Sequence, residues 1–500
     1  NANPYKNRHG GTSSMGAIRE IKQKYFGEGD LEAFFGLFGD VFSKIAAIIG
    51  VLYFAEGFPA DIVMGKILPG IGVGSIAGSL IYFWEAYDLG KKEGRTDVTA
   101  LPFGVSSTQV FAWIYLIIVP IYRQTGNALH AWQVAVAACF LGGLVEIAGG
   151  FVSKLLMKWI PNAALMGNMA AGALVWLSLN GFVTVFETPL VSVIPLFLIF
   201  LAQKMKKPLI KGIPNTVLIV GTGVALAWLT GQCNIATLQK SAQTFGVYPP
   251  QLSILDVTKG ISQIGPYLSI IIPLQIANFL STMQASESAA MAGDNYPVKR
   301  TMILDGVTTV LSSLTGSPFP TTVYYGHPGW KKVGTRSGYS LMMAVVYLSC
   351  FFGLPLLILD IIPYEVIIVL LVLVGLNVTS DVVDNMEKEY SGVIFISLFP
   401  ILAQYIVSAV SDTSVISHAF EVLSYGAFAS SLLYSVWLAY IYKKDFKKAG
   451  YTAIVLAGLS LIGFIHTETL CWLSKTGKEF GIIYLMIGAI CLLVGKMDRE

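Results

Sequence analysis

Two short stretches concentrate the polar chemistry of an otherwise apolar chain. The first is Pro318-Phe319-Pro320-Thr321-Thr322-Val323-Tyr324-Tyr325-Gly326-His327-Pro328. Its echo, Pro102-Phe103-Gly104-Val105-Ser106-Ser107-Thr108, lies about 216 residues earlier and has the same order of Pro-Phe, a breaker, hydroxyls and a valine. Proline lacks a backbone donor and clashes with a helical turn. A bilayer tolerates such broken backbone only where it is buried in protein or lines a wet cavity. Each stretch therefore predicts a discontinuous span whose N–H groups and hydroxyls face a binding cavity. Interrupted segments at matching places in two halves are the sequence mark of a membrane carrier's cargo site.

Other residues join this chemistry. Gln275, Asn278 and Thr282 fall at i, i+3 and i+7 of one apolar segment, hence on one helical face. Side-chain amides offer a donor and an acceptor together, which suits the edge of a planar polar ligand; pairing between helices is the competing use of such a face. Phe103, Tyr324 and Tyr325 flank the two breaks and either stack on a ring or pack. If short helices begin after Ser107 and Thr322, their N-terminal dipoles favour anionic or electron-rich groups. Glu56 and Glu146 fall in or near apolar runs, where a carboxylate costs about 2.5–3.5 kcal/mol and faces a cavity or a partner. Either could carry a coupling proton. His327 is the third coupling candidate, with a structural hydrogen-bonder as its competing role.

The rest of the chain supplies the elements that position these groups. Apolar residues make up 54%, charged residues 13%, and the mean hydropathy is +0.66, against roughly 25% charge in soluble domains. The fold class is an all-α polytopic membrane protein. Residues 1–35 read as a tail followed, over 17–35, by an amphipathic surface helix. Seven spans are expected within 36–230, an extracytoplasmic connection over 231–262, seven more spans within 263–441, and two additional spans within 442–500. Spans three and ten are the broken ones. With the N-terminus in the cytoplasm, 26 Lys and Arg fall in inside loops and 5 in outside loops, as the positive-inside rule requires. Both termini are then cytoplasmic, in the plasma (inner) membrane of a cell. An odd count per half inverts the second half relative to the first.

Five scattered cysteines form no Cys-x-x-Cys pair and the five histidines no ligand spacing, so no metal or disulfide framework is indicated. The first apolar run follows a polar, basic segment, which predicts an uncleaved first span rather than a signal peptide. No nucleotide-binding loop, metalloprotease helix or nucleophile elbow occurs. Neither an enzyme nor a nucleic-acid partner is expected, and no cofactor beyond a coupling H⁺ or Na⁺; the partners are the bilayer and a small-molecule substrate.

The second half carries a family resemblance. Asn278 through Ala292-Gly293, Lys299-Arg300-Thr301, Asp305-Gly306-Val307-Thr308-Thr309, Gly316 with Thr321-Thr322-Val323-Tyr324, and Gly334-Thr335-Arg336-Ser337-Gly338 resemble the nucleobase–ascorbate transporter family. The likeness is to its xanthine/uracil permeases and its adenine/guanine/hypoxanthine branch. The resemblance implies a 7+7 inverted repeat with core and gate domains and short antiparallel strands in spans three and ten. It implies substrate bound between those strands and span eight, coupling to a cation, and often a homodimer. It places Phe103, Gly104, Val105, Ser106, Ser107, Gln275, Asn278, Thr282, Thr321, Thr322, Tyr324, Tyr325, Gly326 and His327 around a nucleobase such as xanthine, hypoxanthine, urate or uracil, moved by an elevator-like motion. Two departures stand out. Asn278 occupies the place of the family's span-eight carboxylate, and Gly326-His327 that of its span-ten carboxylate. An organic or inorganic anion is the alternative substrate on the same fold.

Overall fold

The computed structural model describes residues 25–106, 109–110, 113–205, 208–211, 213, 215–324, 326–410, 415–468 and 470–497. Ser107, Tyr325 and residues 17–24 of the expected surface helix lie outside them.

The first half runs α1 (Asp30–Ile48), α2 (Leu68–Glu93), β1 (Phe103–Val105), α3 (Ala128–Trp159), α4 (Asn162–Gly172), α5 (Pro189–Met205) and α6 (Asn215–Leu229). The second runs α7 (Leu268–Met291), α8 (Val298–Leu314), β2 (Thr321–Val323), α9 (Gly338–Tyr347), α10 (Tyr364–Asn385), α11 (Ser391–Ala409) and α12 (Ala427–Tyr442). Of these elements, each half opens on two helices, breaks at a strand and closes on four more, with shorter helices between them. Residues 30–35, expected within a surface helix, are instead the first turns of α1, because the apolar face already begins at Ala33 and Leu37.

Among the described residues, six helices are long and apolar enough to cross a membrane: Asp30–Ala55, Ala60–Glu93, Ala128–Leu155, Asn162–Val185, Lys388–Ala409 and Lys475–Met497. Two more pairs, Gly338–Phe351 with Leu354–Ile361 and His418–Ser424 with Ala427–Tyr442, bend by 99° and 79°. The protein is integral to a membrane.

The two broken stretches meet. β1 pairs antiparallel with β2, with Phe103 opposite Val323, Gly104 opposite Thr322 and Val105 opposite Thr321. Antiparallel pairing is what two inverted halves produce when their equivalent breaks cross. Around the crossing, α2, α3, α7, α8 and α9 pack on one another as the core, while α4, α5, α6, α10, α11 and α12 form the gate. α1 touches α9 on one side and α10 on the other, and α7 meets α12.

Small residues set the close approaches, as in other membrane bundles. On α2, Gly70, Gly74 and Gly78 recur every fourth residue; a Cβ there would lie 2.2 Å from the Ser317 nitrogen, 2.5 Å from the Ser312 Cβ and 1.9 Å from the Phe103 ring. α3 crosses α8 at Gly143 and Gly306, where a Cβ on either would lie 2.8 or 2.7 Å from the other's carbonyl. That crossing brings Glu146 and Asp305 side by side.

The two additional helices, α13 (Phe446–Leu461) and α14 (Lys475–Met497), form a hairpin against α12. Its connection carries His466 at φ +67°, buried. The ring's Nδ1 lies 3.3 Å from the Val422 carbonyl and its Nε2 2.7 Å from the Tyr484 hydroxyl. Nδ1 therefore holds the proton and Nε2 accepts. Burial pushes this imidazole down to about 4, against the pull of the Val422 carbonyl. The unfolded chain binds the proton near pH 6.5 and the folded one refuses it, so this stability is complete above about pH 6.5 and is lost as pH falls towards 4. Between pH 6.5 and 5 the loss is about 2 kcal/mol. Melting measured across that range should fall more steeply in the wild type than in His466→Gln.

Candidate functional site

Directly behind the strand crossing, four elements converge on one hydrogen-bonded cluster. α3 supplies Glu146, α7 supplies Asn278 and Thr282, α8 supplies Asp305, and β2 supplies Thr321 and Thr322. Asn278 Nδ2 donates to Glu146 Oε2 at 3.1 Å and lies 3.5 Å from the Thr321 carbonyl. The Thr282 hydroxyl lies 2.8 Å from Glu146 Oε1, 2.9 Å from Asp305 Oδ2 and 2.9 Å from the Thr322 hydroxyl. Asp305 Oδ2 also accepts the Val323 N–H at 3.0 Å, and Oδ1 accepts the Tyr82 hydroxyl. Thr308 and Thr309 hold Thr321 from the other side, with hydroxyl contacts of 3.1 and 2.9 Å.

Glu146 and Asp305 are both 0% exposed. Among the described residues, no Lys, Arg or His forms an ion pair with either. A hydroxyl has one hydrogen to donate, yet Thr282 stands within bonding distance of a carboxylate oxygen on each side. Were both groups ionised, the single Thr282 hydrogen could serve only one of the two carboxylate oxygens that face it, and burying an uncompensated carboxylate costs several kcal/mol.

One turn along α7, Gln275 Nε2 donates to Gln109 Oε1 at 3.1 Å, and Gln109 Nε2 donates in turn to the Leu274 carbonyl. These bonds fix both amide orientations, as Glu146 fixes that of Asn278. Gln275 Oε1 and Asn278 Oδ1 are thereby left as buried acceptors without a donor. An unmatched buried polar atom costs about 1–3 kcal/mol.

At the strands, Phe103 is buried and lies against Tyr82 at 5.3 Å between centroids. Gly104 admits the Tyr324 and Tyr347 hydroxyls, since a Cβ there would come within 2.4 Å of each. The Val105 carbonyl accepts the Tyr324 hydroxyl at 2.6 Å, and the Ser106 N–H donates to the Pro320 carbonyl at 2.9 Å. Phe103, Val105, Ser106, Thr321, Thr322 and Val323 are buried, whereas Tyr324 and Gly326 keep partial exposure.

Two of the three coupling candidates lie apart from this cluster. Glu56 pairs with Arg123 at 2.6 Å, beyond the end of α1, and takes no part in the hydrogen bonds described for the cluster. His327 is buried, but its Nε2 faces the Thr99 carbonyl at 3.1 Å and Asp294 Oδ2 at 3.0 Å. It belongs to a hub between α7 and α8, where Asp294 also accepts Arg95 and Lys331 at 2.6 Å each and the Thr99 N–H at 3.0 Å. Burial pushes the Asp294 carboxyl up, but bonds from His327, Lys331, Thr99 and Arg95 outweigh it and hold the group below the usual carboxylate range. Only Glu146 of the three enters the cluster. Its partner Asp305, and Tyr82, were not among the sequence candidates. Asp305 sits on a helix with five hydroxyl side chains and two other charges, so it does not stand out from an ordinary polar face.

No family model matches the sequence, and no curated protein does. Among solved structures the fold overlaps the transmembrane domain of a cyanobacterial bicarbonate transporter, BicA, with a TM-score of 0.47 at 13% identity, over 82% of this chain and 96% of that one. It overlaps SLC26A9 with a TM-score of 0.44 at 13% identity, over 88% and 73% of the two chains. For the murine SLC26A9 anion transporter in its inward-facing state the TM-score is 0.43 at 13% identity, over 88% and 74%. At that level of overlap, what those proteins carry says nothing about the cargo here.

Proposed function

We propose that this protein is a secondary-active transporter for a planar heterocycle of the nucleobase kind, such as xanthine, hypoxanthine, urate or uracil. It works by sliding the core against the gate, as a homodimer in the plasma membrane with both termini cytoplasmic. The observation that carries the proposal is the pair of unmatched acceptors, Gln275 Oε1 and Asn278 Oδ1, on one face of α7. A ligand with N–H donors along one edge satisfies both. A fully ionised oxyanion brings no donors, and it would enter beside the two carboxylates Glu146 and Asp305. Tyr324, partly exposed beside the cluster, supplies a ring to stack on.

The positive charge that compensates Glu146 and Asp305 is the coupling ion: one proton, or one Na⁺, taken up with the substrate and released on the other side. The alternative is an anion carrier on the same fold, and the feature in its favour is Lys44, whose ammonium reaches the Val105 carbonyl at 3.0 Å.

Thermal unfolding of the detergent-purified protein, with nucleobases beside sulfate, bicarbonate and small carboxylates, separates the two. A ligand at 100 times its dissociation constant adds about 2.7 kcal/mol. A nucleobase should stabilise the wild type, and Asn278→Ala should weaken that ligand about 10-fold or more. Stabilisation by anions alone, equal in Asn278→Ala, would sink the heterocycle.

A further inference from the structure

The rim of the core where α3 ends and α8 begins carries a charged surface that the cargo cluster does not use. Phe151, Lys154, Leu155 and Lys158 fall at i, i+3, i+4 and i+7 of α3 and so share one face. That face is open. Phe151 is 65% exposed and Leu155 69%, and both lysines are exposed. α8 starts against the same turn, since a Cβ at Gly150 would lie 3.2 Å from the Lys299 carbonyl. The Lys299 ammonium reaches over the Phe151 ring, 4.2 Å from its centre. Next along α8, Arg300 lies 5.4 Å from the ring of Trp84, itself half exposed.

Three ammonium groups thus border one apolar strip. Among the described residues, none of Lys154, Lys158 and Lys299 forms an ion pair. By contrast, Lys92 is matched by Asp88, Arg95 and Lys331 by Asp294, each at 2.6 Å, and Arg300 by Glu85 at 2.5 Å. Like charges one turn apart, as Lys154 and Lys158 are, repel each other. Positive charge in a short loop orients a membrane protein wherever in the loop it lies, so orientation alone does not account for a placement around Phe151 and Leu155. The apolar span ends at Leu155, where hydrocarbon gives way to headgroups. Lysine stems lie along apolar surface and carry their charge outward to that level, and an exposed tryptophan such as Trp84 sits at the same level. An anion that brings its own hydrocarbon fits both parts of the surface.

We propose that this rim is a docking surface for an anionic phospholipid, with its phosphate among Lys154, Lys158 and Lys299 and an acyl chain along Phe151 and Leu155. These residues fall on the side expected to face the cytoplasm, the leaflet whose anionic lipids attract basic residues next to a span. The surface is built from other residues than the Glu146–Asp305 cluster, so it stands whatever the cargo is.

The test is lipid binding by the detergent-purified full chain, with dioleoyl phosphatidylglycerol and dioleoyl phosphatidylcholine, which have the same acyl chains. Three variants are compared with wild type. Lys154→Gln/Lys158→Gln/Lys299→Gln removes the surface charge, and Lys154→Gln/Lys158→Gln leaves Lys299 over Phe151. Lys204→Gln/Lys475→Gln/Lys478→Gln removes three exposed lysines elsewhere. Wild type should prefer phosphatidylglycerol, and that preference should fall about 100-fold in the first variant and about 10-fold in the second. It should survive in the third and weaken with added salt, as a contact between exposed charges must. The substituted side chains are exposed and without ion pairs, so the first variant should melt like wild type in phosphatidylcholine; the second reports on the surface if it does not. Equal binding of the two lipids by wild type, an undiminished preference in the first two variants, or an equal loss in the third overturns the docking surface. Inorganic phosphate that displaces phosphatidylglycerol at a comparable concentration overturns the lipid as its occupant.

Discussion

In Glu146→Gln, accumulation of substrate against a gradient should collapse while exchange at equal concentrations continues. The glutamine keeps the length of the side chain and its carbonyl oxygen, so Asn278 Nδ2 or the Thr282 hydroxyl still finds an acceptor where Glu146 now stands 3.1 and 2.8 Å away. An amide can donate to Thr282, which frees the Thr282 hydrogen for Asp305 at 2.9 Å. The donor deficit disappears, and with it the reason to take up an ion. For a transporter coupled to one proton, a gradient of one pH unit corresponds to 1.36 kcal/mol, or about tenfold accumulation. Vesicles loaded with the variant should show an accumulation ratio near one under that gradient, with counterflow of labelled substrate preserved. Undiminished accumulation would remove Glu146 from coupling and leave Asp305 to act alone.

Asp305→Ala should be the most damaging single change in the core. It strands the Val323 N–H, leaves the Tyr82 hydroxyl only the Thr301 carbonyl at 3.3 Å, and hands the Thr282 hydrogen to Glu146 alone. It also leaves a hole in a site with 0% exposure. The stranded buried donor costs about 1–3 kcal/mol, and the cavity adds to that. A loss of about 3–5 kcal/mol, together with loss of ligand stabilisation, is expected in thermal unfolding. The Val323 N–H matters most, because it belongs to β2, and β2 has only Val105, Gly104 and Phe103 as strand partners. Asp305→Asn keeps one acceptor oxygen and should retain part of the stability. A melting curve for Asp305→Ala that matches wild type would show that β2 is held without it.

The two breaks could be read from the chain because proline leaves a local signature: Pro102, Pro318 and Pro320 forbid helix whatever surrounds them; that the breaks are strands was implied only by the family resemblance. The α7 face was equally plain, since Gln275, Asn278 and Thr282 interrupt an apolar run at helical spacing. Glu146 stood out for its charge in an apolar segment. What the sequence hides is who meets whom. Asp305 becomes distinctive only when the Gly143–Gly306 crossing places it beside Glu146, and no spacing rule links residues on separate helices. Lys44 and Asp40 stand four apart on α1 and were not singled out in the sequence; their reach to Val105 and Tyr324 depends on how α1 lies against the crossing. Glu56 and His327 drew attention by residue type alone, and their partners, Arg123 and Asp294, are set by the fold.

The crossing of β1 and β2 also bears on how the protein is made. Val105 and its partner Thr321 are separated by about 216 residues. At 5–20 residues per second, a ribosome needs roughly 10–40 s to reach the second strand after finishing the first. Throughout that interval the membrane holds a half-made chain whose β1 edge has no mate, and each unpaired backbone group in hydrocarbon costs several kcal/mol. The first half therefore enters the bilayer before it can settle, and the strand crossing comes into being only when the nascent second half threads in beside it and closes the last backbone bonds of the first.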